Sequence, residues 1–313
     1  MSKDKRFDPA VVATVTVTFN PDIDLLRTQL DALPRESLKL VVDNATQAEV
    51  LQGIQTLVSQ TPNARLLRND ENLGLAAAVN RGVRAVRDAA PATRFVLLLD
   101  QDSEPAPDSI EALLTGFEAL QARGERVGCV GPTLLDVATG LPHGFHQCTR
   151  WRWKRVYPAS GATAPVPCAN LNGSGTLVPI DLFLELGGLE EALFIDHVDT
   201  EWAFRVQARG YRLFGIPQAV FRHRMGDTSR RIWLFGWRVW PVRSPRRHYF
   251  LYRNAVILMR RSYVPRVWKV WAVAKLVMTT CGTLATGPQR LAQMRSMASG
   301  VRDARARTVE PKA

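Results

Sequence analysis

Four short apolar runs, each stopping at a cluster of polar residues, alternate with helix-patterned segments over the first hundred residues. This rhythm restricts the fold more than any other feature of the chain. The first run, residues 11 to 22 (VVATVTVTFNPD), is rich in β-branched residues and turns at Asn20-Pro21. Helical spacing follows at Ile23, Leu26 and Leu30. A second run, residues 38 to 42, stops at Asp43-Asn44, and a helix over residues 47 to 59 places Leu51, Ile54 and Val58 on one face. Residues 64 to 67 make the third run. An alanine-rich helix to residue 89 follows Asn72-Leu73-Gly74, and residues 95 to 99 make the fourth run. Strands alternating with helices of this length predict an α/β fold, with a mostly parallel, Rossmann-like sheet and helices on both faces.

In such sheets ligands bind outside the carboxyl ends of the strands. Four polar places then share one rim: Thr18 to Pro21, Asp43-Asn44, Asn69 to Gly74, and Asp100 to Asp102. Asn, Asp and Gly also end strands for purely local reasons, so one such place would say little. Four in succession point to a nucleotide-type site. The last, in RFVLLLDQDSEPAPD, sets two carboxylates two residues apart at the end of an apolar strand. An unpaired buried charge is costly, and a divalent cation would be a partner for both.

Beyond this point the pattern predicts a helix over residues 108 to 122 and a strand over 127 to 130. Residues 136 to 168 are less regular. They include CTRWRWKR, which reads either as an acceptor or membrane contact or as an ordinary exposed hairpin. In NLNGSGTLVP, glycines flank Ser174 ahead of a strand; they let a backbone approach a ligand closely or merely shape a bulge. The stretch LFIDHVDTEWAFRVQARG carries Asp196, Asp199 and Glu201 beside Trp202, with a helix from Asp199 to Ala208. Acids in a first helical turn are commonly dipole partners, which accounts for one of the three better than for all. Residues 211 to 227 give one or two short strands ending near His223. A lone histidine is usually structural, and this one matters only if the fold brings it to Asp102.

Charge divides the chain unevenly. The net formal charge is +12, yet from Arg222 onward there are 20 Lys/Arg against 3 Asp/Glu, while the preceding residues hold 21 against 26. A basic final third points to nucleic acid or an anionic membrane surface. Trp233, Trp237, Trp240, Trp268 and Trp271 lie among its cations, which suits a bilayer headgroup region. No window of 18 residues is apolar and uncharged, so a spanning helix is disfavoured. The tail from Arg290 reads as a frayed helix or disordered. The expected organisation is a nucleotide-binding domain over residues 1–229 and a basic, aromatic, mainly helical region over 230–313, which associates with membrane or forms a subunit interface. MSKDKRFDPA lacks the apolar run of a signal peptide. Four cysteines without a CxxC pair suit a reducing compartment.

The motifs TVTFNPD, VVDNAT, NLGLAAAVNRG, LLLDQDSEP, LFIDHVDTEW and FRHRMGD, in this order and spacing, resemble those of family 2, GT-A-fold glycosyltransferases. The resemblance spans roughly residues 11 to 263 and points to the bacterial rhamnosyltransferase branch that builds surface polysaccharides. It implies that Thr18, Phe19 and Asn20 line the base, that Asp43 accepts from the base N3–H, and that Asn72, Gly74 and Asn80 flank the ribose and diphosphate. Asp100, Gln101 and Asp102 match the DxD element. Asp102 would be the metal ligand, with His223 completing the site, and Asp100 and Gln101 would serve the donor. Asp199 matches the catalytic base. Many relatives have two adjacent acids where this chain has Val198-Asp199, so Asp196 is the alternative. Glu201, Trp202, Gly173 and Ser174 would shape the acceptor pocket. Mg²⁺ or Mn²⁺ is the implied cofactor, and the implied partners are a nucleotide sugar and a saccharide or lipid-linked saccharide. The implied place of action is the cytoplasmic face of the inner membrane.

The chemistry asks for the same parts. A departing diphosphate needs positive charge, which a hard cation on carboxylate oxygens supplies. The acceptor hydroxyl must lose a proton, which a separate carboxylate can take. The expected reaction is inverting transfer of L-rhamnose from dTDP-L-rhamnose, the alternatives being galactose, glucose, N-acetylglucosamine or galactofuranose. A nucleotidyltransferase would need a cationic triphosphate loop after the first strand, and FNPDIDLL offers no cation. A nucleic-acid-binding role for the basic third is the reading from another class. No RNA-module signature accompanies it, and no nucleic-acid partner is expected.

Overall fold

The computed structural model describes residues 8–137, 139–223, 229–233, 237–241 and 243–306, with backbone alone for 229–233 and 237–241. The first half alternates as its periodicity predicts: β1 (Val12–Thr18), α1 (Ile23–Asp31), β2 (Lys39–Asn44), α2 (Ala48–Gln60), β3 (Ala64–Asn69), α3 (Leu75–Ala89) and β4 (Phe95–Asp100). Then come β5 (Glu104–Pro105), α4 (Ser109–Ala122) and β6 (Val127–Asp136). A hairpin, β7 (Phe145–Cys148) with β8 (Trp153–Val156), leads to β9 (Val166–Cys168), β10 (Thr176–Pro179), α5 (Ile180–Glu185), α6 (Val198–Ala208) and β11 (Arg212–His223). Past β12 (Ser229–Trp233) and β13 (Trp237–Pro241), the chain ends in α7 (Pro245–Arg260), α8 (Arg266–Thr286) and α9 (Arg290–Ala306).

Among the described residues the central sheet has nine strands, ordered β3-β2-β1-β4-β10-β6-β11-β5, with β9 also paired to β11. Strands β3, β2, β1 and β4 are mutually parallel, as are β6 and β11, while β10 runs antiparallel between β4 and β6. The apolar runs of β1 and β4 are buried on both faces. Val96 and Leu98 of β4 join α3 (Val79, Val83) in one core, and Leu97 and Leu99 join α1, α2 and α4 (Leu26, Ile54, Phe117) in the other. Double-sided burial explains why these strands read as continuous apolar runs rather than alternating ones.

The C-terminal helices belong to this body. Ile257, Leu258, Trp268 and Ala272 lie in the same core as Val15 and Leu98. Described residues on either side of the 229/230 boundary therefore share one core. The tail from Arg290, expected frayed or disordered, is helix α9, whose Met297, Gly300 and Ala304 are buried. The tryptophan reading also changes. Trp268 is only 1% exposed, its ring edge-on to Phe204 and to His197. Trp271 packs against Trp153 of β8 at 5.9 Å. The side chains of Trp233, Trp237 and Trp240, and residues 224–227 of FRHRMGD, lie outside the described residues. CTRWRWKR forms the turn and second strand of the β7–β8 hairpin, with Trp151 exposed and Trp153 turned inward.

Candidate active site

The rim predicted from strand ends exists. At the end of β1, Thr18 donates to Asp43 Oδ1 at the end of β2, and Thr46 N donates to Asp43 Oδ2. Phe19 N donates to Gln101 Oε1 at 2.9 Å, joining the β1 end to the β4 end. Asn20, at φ 47°, accepts from Gln47 N and donates its own N–H to Thr46. Between β2 and β3 an asparagine chain closes the edge: Asn69 Nδ2 donates to Asn44 Oδ1, and Asn44 Nδ2 donates to Asn72 Oδ1. Phe19 and Asn20 are exposed, Asn72 is half-buried and Asp43 is fully buried.

The loop after β4 is pinned from below. Buried Gln29 of α1 accepts from Thr16 and donates to the carbonyls of Asp100 (2.6 Å) and Ser103 (2.7 Å). Ser103 and Ser174 join through their hydroxyls. Above this loop, ligand atoms of Asp100, Asp102 and His223 all lie within 4.8 Å of one another. His223 reaches the cluster because β11 runs parallel to β6 and its last residues pair with the end of that strand. His223 Nδ1 lies 3.3 Å from Asp102 Oδ1 but out of line for a hydrogen bond, and it has no hydrogen-bond partner among the described residues. Burial alone would lower the His223 pKa, but Asp102 and then Asp100 outweigh it and raise it. Burial raises the Asp100 carboxyl, aided by Asp102 and opposed by His223. Two carboxylates and a buried imidazole nitrogen without a hydrogen bond form a donor set that fits a divalent cation.

The second acidic centre is the loop from residue 193 to 197 with the first turn of α6. Phe194, Asp196 and His197 adopt positive φ of 66°, 61° and 63°. Such conformations cost a non-glycine residue about 1–3 kcal/mol each and persist only where surroundings impose them. Helix α7 imposes them here. Asn254 Nδ2 donates to the carbonyls of Leu193, Ile195 and Asp196, and Arg253 Nη2 donates to those of Ala192 and Leu193. Arg247 grips Asp196 through two 2.9 Å hydrogen bonds. Asp199 has no ion pair among the described residues. Burial pushes its carboxyl up to about 6, opposed by N–H donors from Thr200 and Gly173, with Asp100 and Asp196 adding to the rise. Burial, with Arg243 and Arg155 nearby, brings the Lys275 ammonium down to about 8, while Asp196 and Asp199 pull it back up.

Several expected pocket residues sit elsewhere. Glu201 is wholly buried; it pairs with Arg205 through both oxygens and accepts from Tyr263, so it serves the core rather than an acceptor pocket. Trp202 packs on Phe183 at 5.1 Å inside the same core. Asn80 is buried on α3; it exchanges hydrogen bonds with the backbone of Leu189 and donates to Glu191, so its amide is occupied away from any diphosphate. Ser174 is fully buried under the Asp100–Asp102 loop. Gly173, in contrast, borders Asp199, and a Cβ there would lie 3.9 Å from that of Asp199. Gly74 is held at φ 84° against Phe194, whose carbonyl accepts from Leu75 N at 2.7 Å. Its position follows from docking α3 onto the strained loop. Arg247, Asn254, Lys275 and Gln29 escaped the sequence reading. The first three lie in a stretch whose general basicity hides them, and Gln29 lies within an amphipathic pattern.

Residues 29–153, which include Asp43 and the Asp100–Asp102 loop, match the family described as Glycosyl transferase family 2. The chain is 27% identical over 288 residues to the dTDP-rhamnosyl transferase RfbF of Shigella flexneri, covering 91% of this chain and 92% of that one. It is also 27% identical over 252 residues to an N-acetylglucosaminyl-diphospho-decaprenol L-rhamnosyltransferase of Mycobacterium tuberculosis, covering 70% of this chain and 78% of the relative. The mannosyltransferase PcManGT of Pyrobaculum calidifontis, solved with GDP-Man and Mn²⁺, matches the fold with a TM-score of 0.54 at 18% identity, over 98% of this chain and 86% of that one. The sheet is thus the GT-A sheet, and its rim carries the acidic cluster. The protein is a glycosyltransferase whose residues 29–153 match glycosyl transferase family 2.

Proposed function

We propose that the protein transfers L-rhamnose from dTDP-L-rhamnose, with inversion, onto a lipid-linked saccharide during cell-surface polysaccharide synthesis, at the inner face of the cytoplasmic membrane. The observation that carries this reading is the pair of acidic centres on one rim, Asp100 and Asp102 with His223 on one side and the uncompensated Asp199 on the other. The choice of sugar and of a lipid-linked acceptor draws on the two relatives, both rhamnosyltransferases by name.

In this reading the base lies along Thr18, Phe19 and Asn20, and Asp43 accepts from its N3–H. Gln101 ties that edge to the metal loop, and Asn72 borders the ribose. Asp100, Asp102 and His223 would hold a divalent ion, which would supply positive charge to the departing diphosphate. The imidazole favours Mn²⁺ over Mg²⁺, which prefers oxygen alone. Asp199 takes the proton of the attacking hydroxyl. A carboxyl at about 6 suits that task, being charged at neutral pH yet more basic than an exposed carboxylate. The Thr200 and Gly173 N–H groups fix its orientation. Attack from the Asp199 side opposite the leaving group inverts the anomeric centre. Asp196, committed to Arg247, positions the loop instead of accepting the proton.

The deciding experiment incubates purified protein with a panel of nucleotide sugars and Mg²⁺ or Mn²⁺, and measures released nucleoside diphosphate. Turnover of dTDP-L-rhamnose above the other donors is expected. Turnover confined to UDP- or GDP-sugars would overturn the donor assignment.

A further inference from the structure

We infer that the outward face of α8 is the surface on which this protein docks to an anionic lipid bilayer, the helix lying in the plane of the headgroups. Val270, Val273, Val277, Met278 and Leu284 recur at helical spacing, and all are exposed, from 40% at Leu284 to 72% at Val270. The outward positions between them are Ala274, Cys281 and Ala285. From Val270 to Ala285 this face therefore carries no charge, over about 20 Å at 1.5 Å per residue. The opposite face is committed to the protein, with Trp268, Ala272, Thr279 and Thr283 buried.

A contiguous apolar face of this size on a folded protein marks an interaction surface, and its surroundings select the occupant. Exposed Arg266 opens the helix. Exposed Arg290 closes it, donating to the Ala285 carbonyl. Beyond that end run two adjoining grooves of about 600 and 660 Å³, lined by Arg290 and Leu291 in one and by Arg246 and Arg302 in the other, with Arg295 shared. No Asp or Glu occurs from residue 228 to 302. A second copy docking through this same face would bring the same cations against these, with Asp303 the one acid close to them. An anionic bilayer offers acyl chains to the valines and phosphates to the arginines. No described helix is long and apolar enough to cross a membrane, so the contact lies in the interface plane. The purpose follows from the inward face, where Trp268 meets His197 and Lys275 lies within the field of Asp199. The helix that would lie on the bilayer therefore also touches the loop that leads to Asp199. That purpose rests on the proposed lipid-linked acceptor. The docking does not.

The test is flotation of the full chain with vesicles of equal parts phosphatidylglycerol and phosphatidylcholine, and with phosphatidylcholine alone, comparing wild type with the double variant Val273→Glu/Val277→Glu. Wild type should float with the anionic vesicles and not with the neutral ones, and the variant should partition about tenfold less or weaker. The gentler Val270→Ser/Val277→Ser variant, with an unchanged melting temperature, guards against misfolding and should also bind more weakly. Unchanged flotation of both variants, or no flotation of wild type, overturns the proposal. So does a lipid-free wild-type dimer that the substitutions turn into a monomer, which would assign the face to a second copy. Donor turnover with a water-soluble acceptor is measured alongside. Its loss in wild type would sink the rhamnosyl reading while leaving the flotation result to stand alone.

Discussion

Arg247 of α7 holds Asp196 by two hydrogen bonds of 2.9 Å, and Asp199, three residues on in the first turn of α6, has no ion pair among the described residues. Two neighbouring acids are therefore held differently. The oxygens of the first are committed to a guanidinium, whereas a buried carboxylate without a counterion is a better base. Asp199→Asn should leave donor binding close to wild type and lower transfer by about 10² to 10⁴. Donor titration and single-turnover transfer separate the two effects. Loss of transfer in Asp196→Asn with full activity in Asp199→Asn would reverse the assignment.

The same burial sets a pH dependence. Raised to about 6, the Asp199 carboxyl is protonated below that pH and charged above it. The charged form is the base, so transfer should fall about tenfold per unit below about pH 6 and level off above it. A profile of kcat against pH checks this, and the acid limb should vanish in Asp199→Asn.

Removal of divalent metal by a chelator should stop donor turnover, and Mn²⁺ should restore it. In His223→Ala the concentration of Mn²⁺ needed for half-maximal activity should rise about tenfold or more, because one of three converging ligands is gone. Asp102→Ala should abolish turnover at every metal concentration. Activity titrations with Mn²⁺ measure both.

Glu201→Ala should act on stability instead. It leaves the Arg205 guanidinium buried without its carboxylate, a change that costs about 3–5 kcal/mol. Denaturant unfolding should show that loss, while the metal requirement of the residual folded enzyme stays as in wild type.

Asn254→Ala should free the carbonyls of Ile195 and Asp196 at once and leave that of Leu193 to Arg253. Each buried carbonyl left unsatisfied costs about 1–3 kcal/mol, and the strained loop should relax. The expected result is a lower kcat with a donor KM near wild type, together with earlier proteolytic cleavage near residues 193 to 197.

The sheet and its rim were legible because parallel strands buried on both sides leave an unbroken apolar run that ends where the ligand edge begins. Asp43, Asp100 and Asp102 needed only that rule. His223 needed the β6–β11 register, which no local pattern announces. Glu201 and Trp202 were misplaced because their neighbourhood is acidic and aromatic in sequence, while one helical turn rotates them into the core. The signal was there in Arg205, four residues from Glu201, the spacing of an intrahelical pair. Asn80 and Ser174 were misplaced for a related reason, since a buried amide or hydroxyl that pins backbone looks in sequence like one that awaits a ligand. In the basic third, abundance hid the particular contacts: of the many arginines, Arg247 and Arg253 reach the loop over residues 192 to 196, and others stay at the surface.

The clamp of Asn254 on the carbonyls of Leu193, Ile195 and Asp196 has a consequence for synthesis. The acids at 196 and 199 are translated well before the helix that shapes their loop, and the loop's conformation is too costly to hold without it. A growing chain can therefore complete its sheet and still lack the shaped acidic loop, which waits for α7 to emerge and dock.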